Sequence, residues 1–370
     1  MKKLLITLFA FIMLTSLSVF TAVAESVDYD MSGVYNSLSD DARQRMIDIG
    51  ADSADANTLS SISFESIMNE IAQIASESAN SPLKGLISII AMMLICSMLT
   101  TYKSTLSNDI GTALNIVSSL CICSAVAVPA ASLISSAGDV IINASNLMLA
   151  YIPVVALLLT ASGSIVGSSS YYISMLAAGE GVMQLSSRII VPFLNMILGL
   201  SIAGGVSPNI NLGGFTSTIS KISKWLLGFA MAVFSAVITV KQVISNSLDS
   251  VSGRAAKFAV RSFVPVVGTA LSEALRTVQG SISVLKSGVG VFVIFALAIT
   301  FLPTIISVLL WNFTLWIGNS TAEVLNLNQT AKLLKGISDV FSTLIAVLLC
   351  VMTIYIISTA LVFTMGGSIS

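Results

Sequence analysis

The sequence predicts an all-α polytopic integral membrane protein with about seven transmembrane helices and additional interfacial or re-entrant amphipathic helices. Hydrophobic residues make up 55% of the 370-residue chain and charged residues 9%, whereas a soluble domain has about 25% charged residues. The mean hydropathy is +0.95. The apolar residues are gathered in long runs, as required to cross about 30 Å of hydrocarbon. Frequent glycine, alanine and serine within these runs favour close helix packing in lipid.

Residues 1–24 are predicted to be a cleavable secretory signal. Lys2 and Lys3 precede an apolar core, and Ala22-Val23-Ala24 places small residues where cleavage requires them. An uncleaved signal anchor is the alternative. Cleavage after Ala24 would leave the new N-terminus on the exported side of the membrane.

Residues 25–83 are predicted to be an acidic, exported helical segment. Their net charge is −9, whereas residues 84–370 carry +6, so the charge asymmetry separates this segment from the membrane domain. A first short helix is expected between a cap at Ser39 and a stop near Gly50. A second places Phe64, Ile67, Ile71 and Ile74 on one stripe, which either packs on the chain itself or docks a partner.

Residues 84–370 are predicted to be a multi-span membrane domain. Seven spans are expected near 85–102, 112–134, 145–165, 188–205, 224–241, 289–310 and 340–362. The stretch 168–187 is apolar but contains Glu180, and is expected to be interfacial or half inserted. With an exported N-terminus, seven spans place the C-terminus and the loop at 242–287 in the cytoplasm.

The 242–287 loop is basic and amphipathic. Its basic residues fit the positive-inside bias, although Lys221, Lys224, Lys332 and Lys335 then fall on the exported side. Residues 262–281 carry one apolar stripe but are too short to span, so an interfacial or re-entrant helix is predicted there. The candidate interfacial or partner-contact residues are Arg254, Lys257, Arg261, Leu271, Leu275 and Arg276. A connector packed on its own bundle, without a binding role, is the alternative.

The residue types argue against an enzyme. The chain contains no histidine, which excludes histidine-based acid–base catalysis and histidine metal sites. Cys96, Cys121, Cys123 and Cys350 lie in apolar runs, where cysteine acts as a small hydrophobic residue. The ionisable groups Asp139, Glu180 and Lys241 are expected close to span ends. No catalytic, cofactor or metal site is predicted.

The stretch 253–290, "GRAAKFAVRSFVPVVGTALSEALRTVQGSISVLKSGVG", resembles the stage III sporulation protein AE family. The resemblance rests on the basic Gly-Arg-Ala-Ala-Lys-Phe run, the Phe-Val-Pro-Val-Val-Gly turn, the Ser-Glu-Ala-Leu motif and the Lys-Ser-Gly-x-Gly before a span. The layout of a signal, a short exported segment and a multi-span body extends it over nearly the whole chain.

The resemblance implies a multi-pass protein of the mother-cell membrane that faces the forespore. It would be a subunit of the transenvelope complex, a secretion or feeding channel that supports late forespore development in sporulation. The expected partners are other membrane subunits of that complex, the lipid bilayer and further copies of the chain, but no nucleic acid. The alternative function is a stand-alone secondary transporter or permease for a small solute.

Overall fold

The computed structural model of the protein describes residues 31–53, 58–59, 61–101, 108–161, 165–206, 213–263 and 268–364, and no strand occurs among them. The predicted signal at 1–24 lies outside the described residues. The helices are α1 (Ser32–Asn36), α2 (Asp40–Asp48), α3 (Phe64–Thr101), α4 (Asn108–Ala161), α5 (Ile165–Leu185), α6 (Val191–Val206), α7 (Gly213–Phe263), α8 (Gly268–Val324) and α9 (Asn328–Thr364). A π turn, Ser186–Ile190, joins α5 to α6.

The first predicted short helix is confirmed as α2. The Ser39 side chain accepts a hydrogen bond from the Ala42 backbone N–H at 3.2 Å, as an N-cap should. Gly50 follows the helix with a φ of 84°, a left-handed conformation that glycine adopts without steric cost. Hydrogen bonds from Gly50 N–H to Ile47 O and from Ala51 N–H to Met46 O close the helix end.

The prediction of an all-α membrane protein is confirmed, but a count of seven spans is not. Six helical segments of the described chain are long and apolar enough to cross a membrane: Phe64–Met98, Ser119–Ala161, Val166–Val206, Gly214–Lys241, Gly288–Val324 and Asn328–Ala360. The predicted span at 112–134 and residues 145–161 of the next predicted span belong to one uninterrupted helix, α4. The stretch 168–187 is part of a continuous element that runs through the π turn into α6.

Helix α9 lies at the centre of the bundle and packs on α4, α6, α7 and α8. It forms an antiparallel hairpin with α8 through a short turn in which Asn326 has a φ of 56°. Asparagine tolerates this left-handed conformation better than most residues. Ser338 Oγ donates to Asn312 Oδ1 within the hairpin at 2.7 Å, and Ser220 and Thr343 hydroxyls meet at 2.7 Å between α7 and α9.

Helices α7 and α8 continue well beyond the predicted spans at 224–241 and 289–310. They contain 51 and 57 residues, which at 1.5 Å per residue corresponds to about 75 and 85 Å, compared with about 30 Å of hydrocarbon. The predicted separate helix at 262–281 is therefore replaced by two long helices, with α8 starting at Gly268. Inside α8 the backbone remains helical at Gly280, Gly288 and Gly290.

The contact between α6 and α9 depends on two glycines. A Cβ atom at Gly205 would lie 2.5 Å from Leu333 Cβ, and one at Gly336 would lie 2.9 Å from Ser201 Cβ. These distances are shorter than van der Waals contact, so a larger side chain would have to push the two helices apart. A Cβ atom at Gly199, also on α6, would have nothing within 4 Å of it.

We therefore expect Gly205→Val to destabilise the protein by about 1–3 kcal/mol through overpacking. Gly199→Val is the matched control on the same helix and should leave stability close to that of the wild type. Thermal unfolding of the detergent-solubilised protein measures both. Equal midpoints for the two variants would contradict the close approach of α6 and α9.

Candidate functional site

The six predicted contact residues fall into two groups on the backbone. Arg254, Lys257 and Arg261 lie in the last turns of α7, and Leu271, Leu275 and Arg276 lie in the first turns of α8. The helical state predicted for the second group is found. The side chains of all six are outside what the structure describes, so their roles as interfacial or partner contacts stay predictions.

Residues 31–53, here called the N-terminal unit, pack on the bundle where the predicted sixth span begins. The ring of Tyr35 lies 4.8 Å from that of Phe292, measured between centroids, and α2 packs on α8. Buried apolar residues of the unit, including Val34 and Met46, belong to the same hydrophobic cluster as the core of the bundle. The predicted acidic segment is therefore attached directly to the membrane domain.

Tyr35 is held in place by polar contacts at both of its ends. Its hydroxyl donates to the backbone carbonyl of Asp52 at 2.8 Å. Its own carbonyl accepts a hydrogen bond from Arg43 Nη2 at 2.9 Å. Because these bonds fix the ring relative to α2, they orient it for its contact with Phe292.

Arg45 binds three carboxylates, and two of them, Glu70 and Glu77, connect the N-terminal unit to α3. Its Nε, Nη1 and Nη2 atoms lie 3.1, 2.8 and 2.9 Å from Asp41 Oδ2, Glu70 Oε1 and Glu77 Oε2, respectively. The side chain of Arg45 is 13% exposed and that of Glu70 only 5%. Burial alone would lower the pKa of the Arg45 guanidinium, but its hydrogen bonds to Glu77, Glu70 and Asp41 raise it above its ordinary value.

Sequence reasoning missed this cluster. A usable signal was present, because Glu70 and Glu77 are seven residues apart and therefore on one face of a helix, and Arg45 follows Asp41 by four residues. Which basic residue the two glutamates would meet depends on contacts between residues 25 and 32 positions apart in the sequence.

The second predicted stripe is found only in part: Ile74 is buried and Ile67 and Ile71 are half-buried, but Phe64 is exposed.

The packing also bears on which side of the membrane the 242–287 connection is expected to lie. Tyr35 and Phe292 lie at the same end of the bundle, whereas seven spans would place residue 53 and the 242–287 connection on opposite sides. If the N-terminus is exported and all six candidate helices cross, the start of α8 would instead lie on the exported side. Charge does not decide between six and seven crossings. With six crossings the basic connection opposes the positive-inside bias, whereas Lys221, Lys224, Lys332 and Lys335 obey it.

These features define an all-α, multi-pass membrane protein with a small helical unit docked on one end of its bundle. Residues 54–366 match the family model of stage III sporulation protein AE. The chain belongs to this family, and it is a sporulation protein.

A curated relative gives the same assignment. Stage III sporulation protein AE of Bacillus subtilis (strain 168) is 25% identical over 235 residues, which cover 63% of this chain and 59% of the relative. The matched region thus spans less than two thirds of the relative's length. Neither description names an enzymatic activity. No solved structure matches the chain.

We expect Arg45→Ala to release α2 from α3. The substitution leaves Glu70 buried without its cation, and removing one partner of a buried pair costs about 3–5 kcal/mol. Local opening should therefore accelerate hydrogen exchange of the α2 amides at least about tenfold, because 1.4 kcal/mol corresponds to a factor of ten.

Gln44→Ala is the matched control for this measurement. Gln44 lies on the same helix and donates to Asp48 at 3.1 Å, but this bond is exposed and worth little. Exchange in the control should stay near that of the wild type. If Arg45→Ala exchanges no faster than Gln44→Ala, the carboxylate cluster does not hold the N-terminal unit in place.

Proposed function

We propose that the protein is a membrane subunit of the complex that joins the mother cell and the forespore across the intermembrane space. In this role it supports late forespore development as part of a secretion or feeding channel. The observation that carries the proposal is membership of the stage III sporulation protein AE family over residues 54–366. We place the chain in the mother-cell membrane, with its N-terminal unit facing the forespore.

The long helices α7 and α8 support a bridging role. Residues 242–263 and 268–287 are helical but lie beyond the apolar segments Gly214–Lys241 and Gly288–Val324. About twenty residues of helix on each side of 264–267 extend about 30 Å at 1.5 Å per residue. A connection of this size, on the same end of the bundle as the N-terminal unit, provides surface for other subunits.

The charges at this end suit contacts with anionic partners or headgroups. The connection has five basic residues against two acidic ones: Arg254, Lys257, Arg261, Arg276 and Lys286 against Asp249 and Glu273. A basic segment next to a membrane is attracted to anionic lipid by about 1 kcal/mol per Lys or Arg. A partner with an acidic surface would be attracted in the same way.

A stand-alone permease is the second candidate, and one observation bears on it. Asp139, expected near a span end, instead lies in the middle of Ser119–Ala161, and Arg188 lies in the π turn in the middle of Val166–Val206. Ionisable groups and irregular helices at this depth occur in transporters. Both side chains are exposed on the outside of the bundle, however, whereas a transport site within one chain needs them inside.

Deletion of the gene in its host tests the proposal. We expect engulfment to be completed and forespore development to stop afterwards, with spore yield restored by the wild-type gene. Leu271→Asp combined with Leu275→Asp should fail to restore it, because charges would break the apolar stripe, while Arg276→Glu should retain more function. Normal spore yield in the deletion strain would refute the proposal, and a growth defect on one nutrient would favour the permease.

A further inference from the structure

One side of α4 is not covered by the other residues that the structure describes, and its middle is polar. Five exposed residues follow each other at intervals of three or four positions: Ser132, Ser135, Asp139, Asn143 and Asn146. This spacing aligns them in one stripe along the helix. The stripe is about 20 Å long and lies within the apolar segment Ser119–Ala161.

The neighbouring element, α5 with the π turn and α6, has a polar stripe of its own. Glu180, Arg188 and Asn195 are exposed, and Gln184 between them is half-buried. They too lie within one apolar segment, Val166–Val206. Two adjacent membrane helices therefore each present polar groups on a surface where contact with lipid would require apolar ones.

The two stripes point to the same side of the bundle. Ser145 Oγ donates to Gly179 O at 3.3 Å, and a Cβ at Gly138 would lie 3.6 Å from Val191, so the helices pack antiparallel. Asp139 follows Gly138 by one position, as Glu180 follows Gly179, and one residue turns a helix by about 100°. Because the two helices run in opposite directions, a turn of about 100° from each contact point leads to the same side of the helix pair. The two stripes therefore form one surface, here called the polar face.

The polar face carries opposite charges that no described residue neutralises. Among the described residues, no ion pair or side-chain hydrogen bond engages Asp139 or Arg188. Both lie near the middle of their apolar segments, where a charge in contact with lipid is costly. A surface that pairs an acid with a base can satisfy both charges by meeting another copy of itself.

We propose that the polar face is an interface between copies of this chain, with Asp139 of one copy paired to Arg188 of its neighbour. The amide and hydroxyl groups along both stripes supply further hydrogen bonds between the copies. This contact satisfies the polar groups without exposing them to lipid. The proposal goes beyond the proposed function, because it concerns association of the chain with itself and holds in the absence of any other sporulation protein.

Charge reversal tests the interface in a host that makes no sporulation proteins. Two full-length copies with different affinity tags are produced together, extracted in mild detergent and purified through one tag. Wild-type copies should co-purify. When both copies carry Asp139→Arg, or both carry Arg188→Asp, co-purification should fall about tenfold or more, since like charges then face each other.

Mixing the two variants distinguishes a lost interface from a misfolded chain. A copy with Asp139→Arg and a copy with Arg188→Asp restore opposite charges across both contacts, so co-purification should return to within about twofold of the wild type. Two misfolded chains would not rescue each other. Lys221→Asp reverses an exposed charge on α7 and is the control, which should co-purify like the wild type.

Three results would overturn the proposal. The first is that wild-type copies do not co-purify, which would leave the polar face to a different subunit. The second is that either single reversal co-purifies as the wild type does. The third is that the mixed pair remains separate. A normal spore yield after gene deletion would refute the proposed function without affecting any of these measurements.

Discussion

A guanidinium group that loses most of its water needs partners, and Arg45 has three. Asp41 on its own helix and Glu70 and Glu77 on α3 surround it at 2.8–3.1 Å. Because Glu70 is itself buried, removal of either Arg45 or Glu70 would leave the other charge buried and unpaired, which lowers the stability of the fold. The pairing thus fixes α2 against α3, and the Tyr35 ring then reaches Phe292 on α8. Through this chain of contacts an acidic segment at one end of the sequence becomes part of the membrane domain.

A second constraint acts inside the membrane, where a helix surface must be apolar, covered or hydrated. Exposed apolar side chains meet this requirement elsewhere on the described bundle, such as Trp225, Phe229 and Val237 on α7. The polar face of α4 and its neighbour does not. The N-terminal unit is thus packed within the chain, whereas the polar face is the surface that we propose another copy covers. In our proposal, further copies of the chain cover this face, and the proposed channel-like complex would bring such copies together.

Composition and local signals were sufficient for the membrane class and for the ends of α2, because caps at Ser39 and Gly50 act within a few residues. The number of spans could not be predicted from composition and local signals alone. Residues 135–144 include serines, Gly138 and Asp139 and resemble a turn, yet α4 continues through them, since Gly138 packs beside Val191 of a neighbouring helix. The contact between Tyr35 and Phe292 joins residues 257 positions apart in the sequence, and no local pattern encodes it. The side expected for the basic connection depends on the number of spans, so it too rests on packing between residues far apart in the sequence.

The docking of the N-terminal unit on the start of α8 is tested most directly by labelling of single cysteines in a background without the four native ones. Ser53→Cys and Ser252→Cys should both react with an impermeant maleimide added to intact protoplasts, whereas Asn328→Cys, at the start of α9, should react only after permeabilisation. This pattern follows from six crossings and one shared end for Tyr35 and Phe292. Labelling of Ser252→Cys only after permeabilisation, with Ser53→Cys labelled from outside, would contradict it.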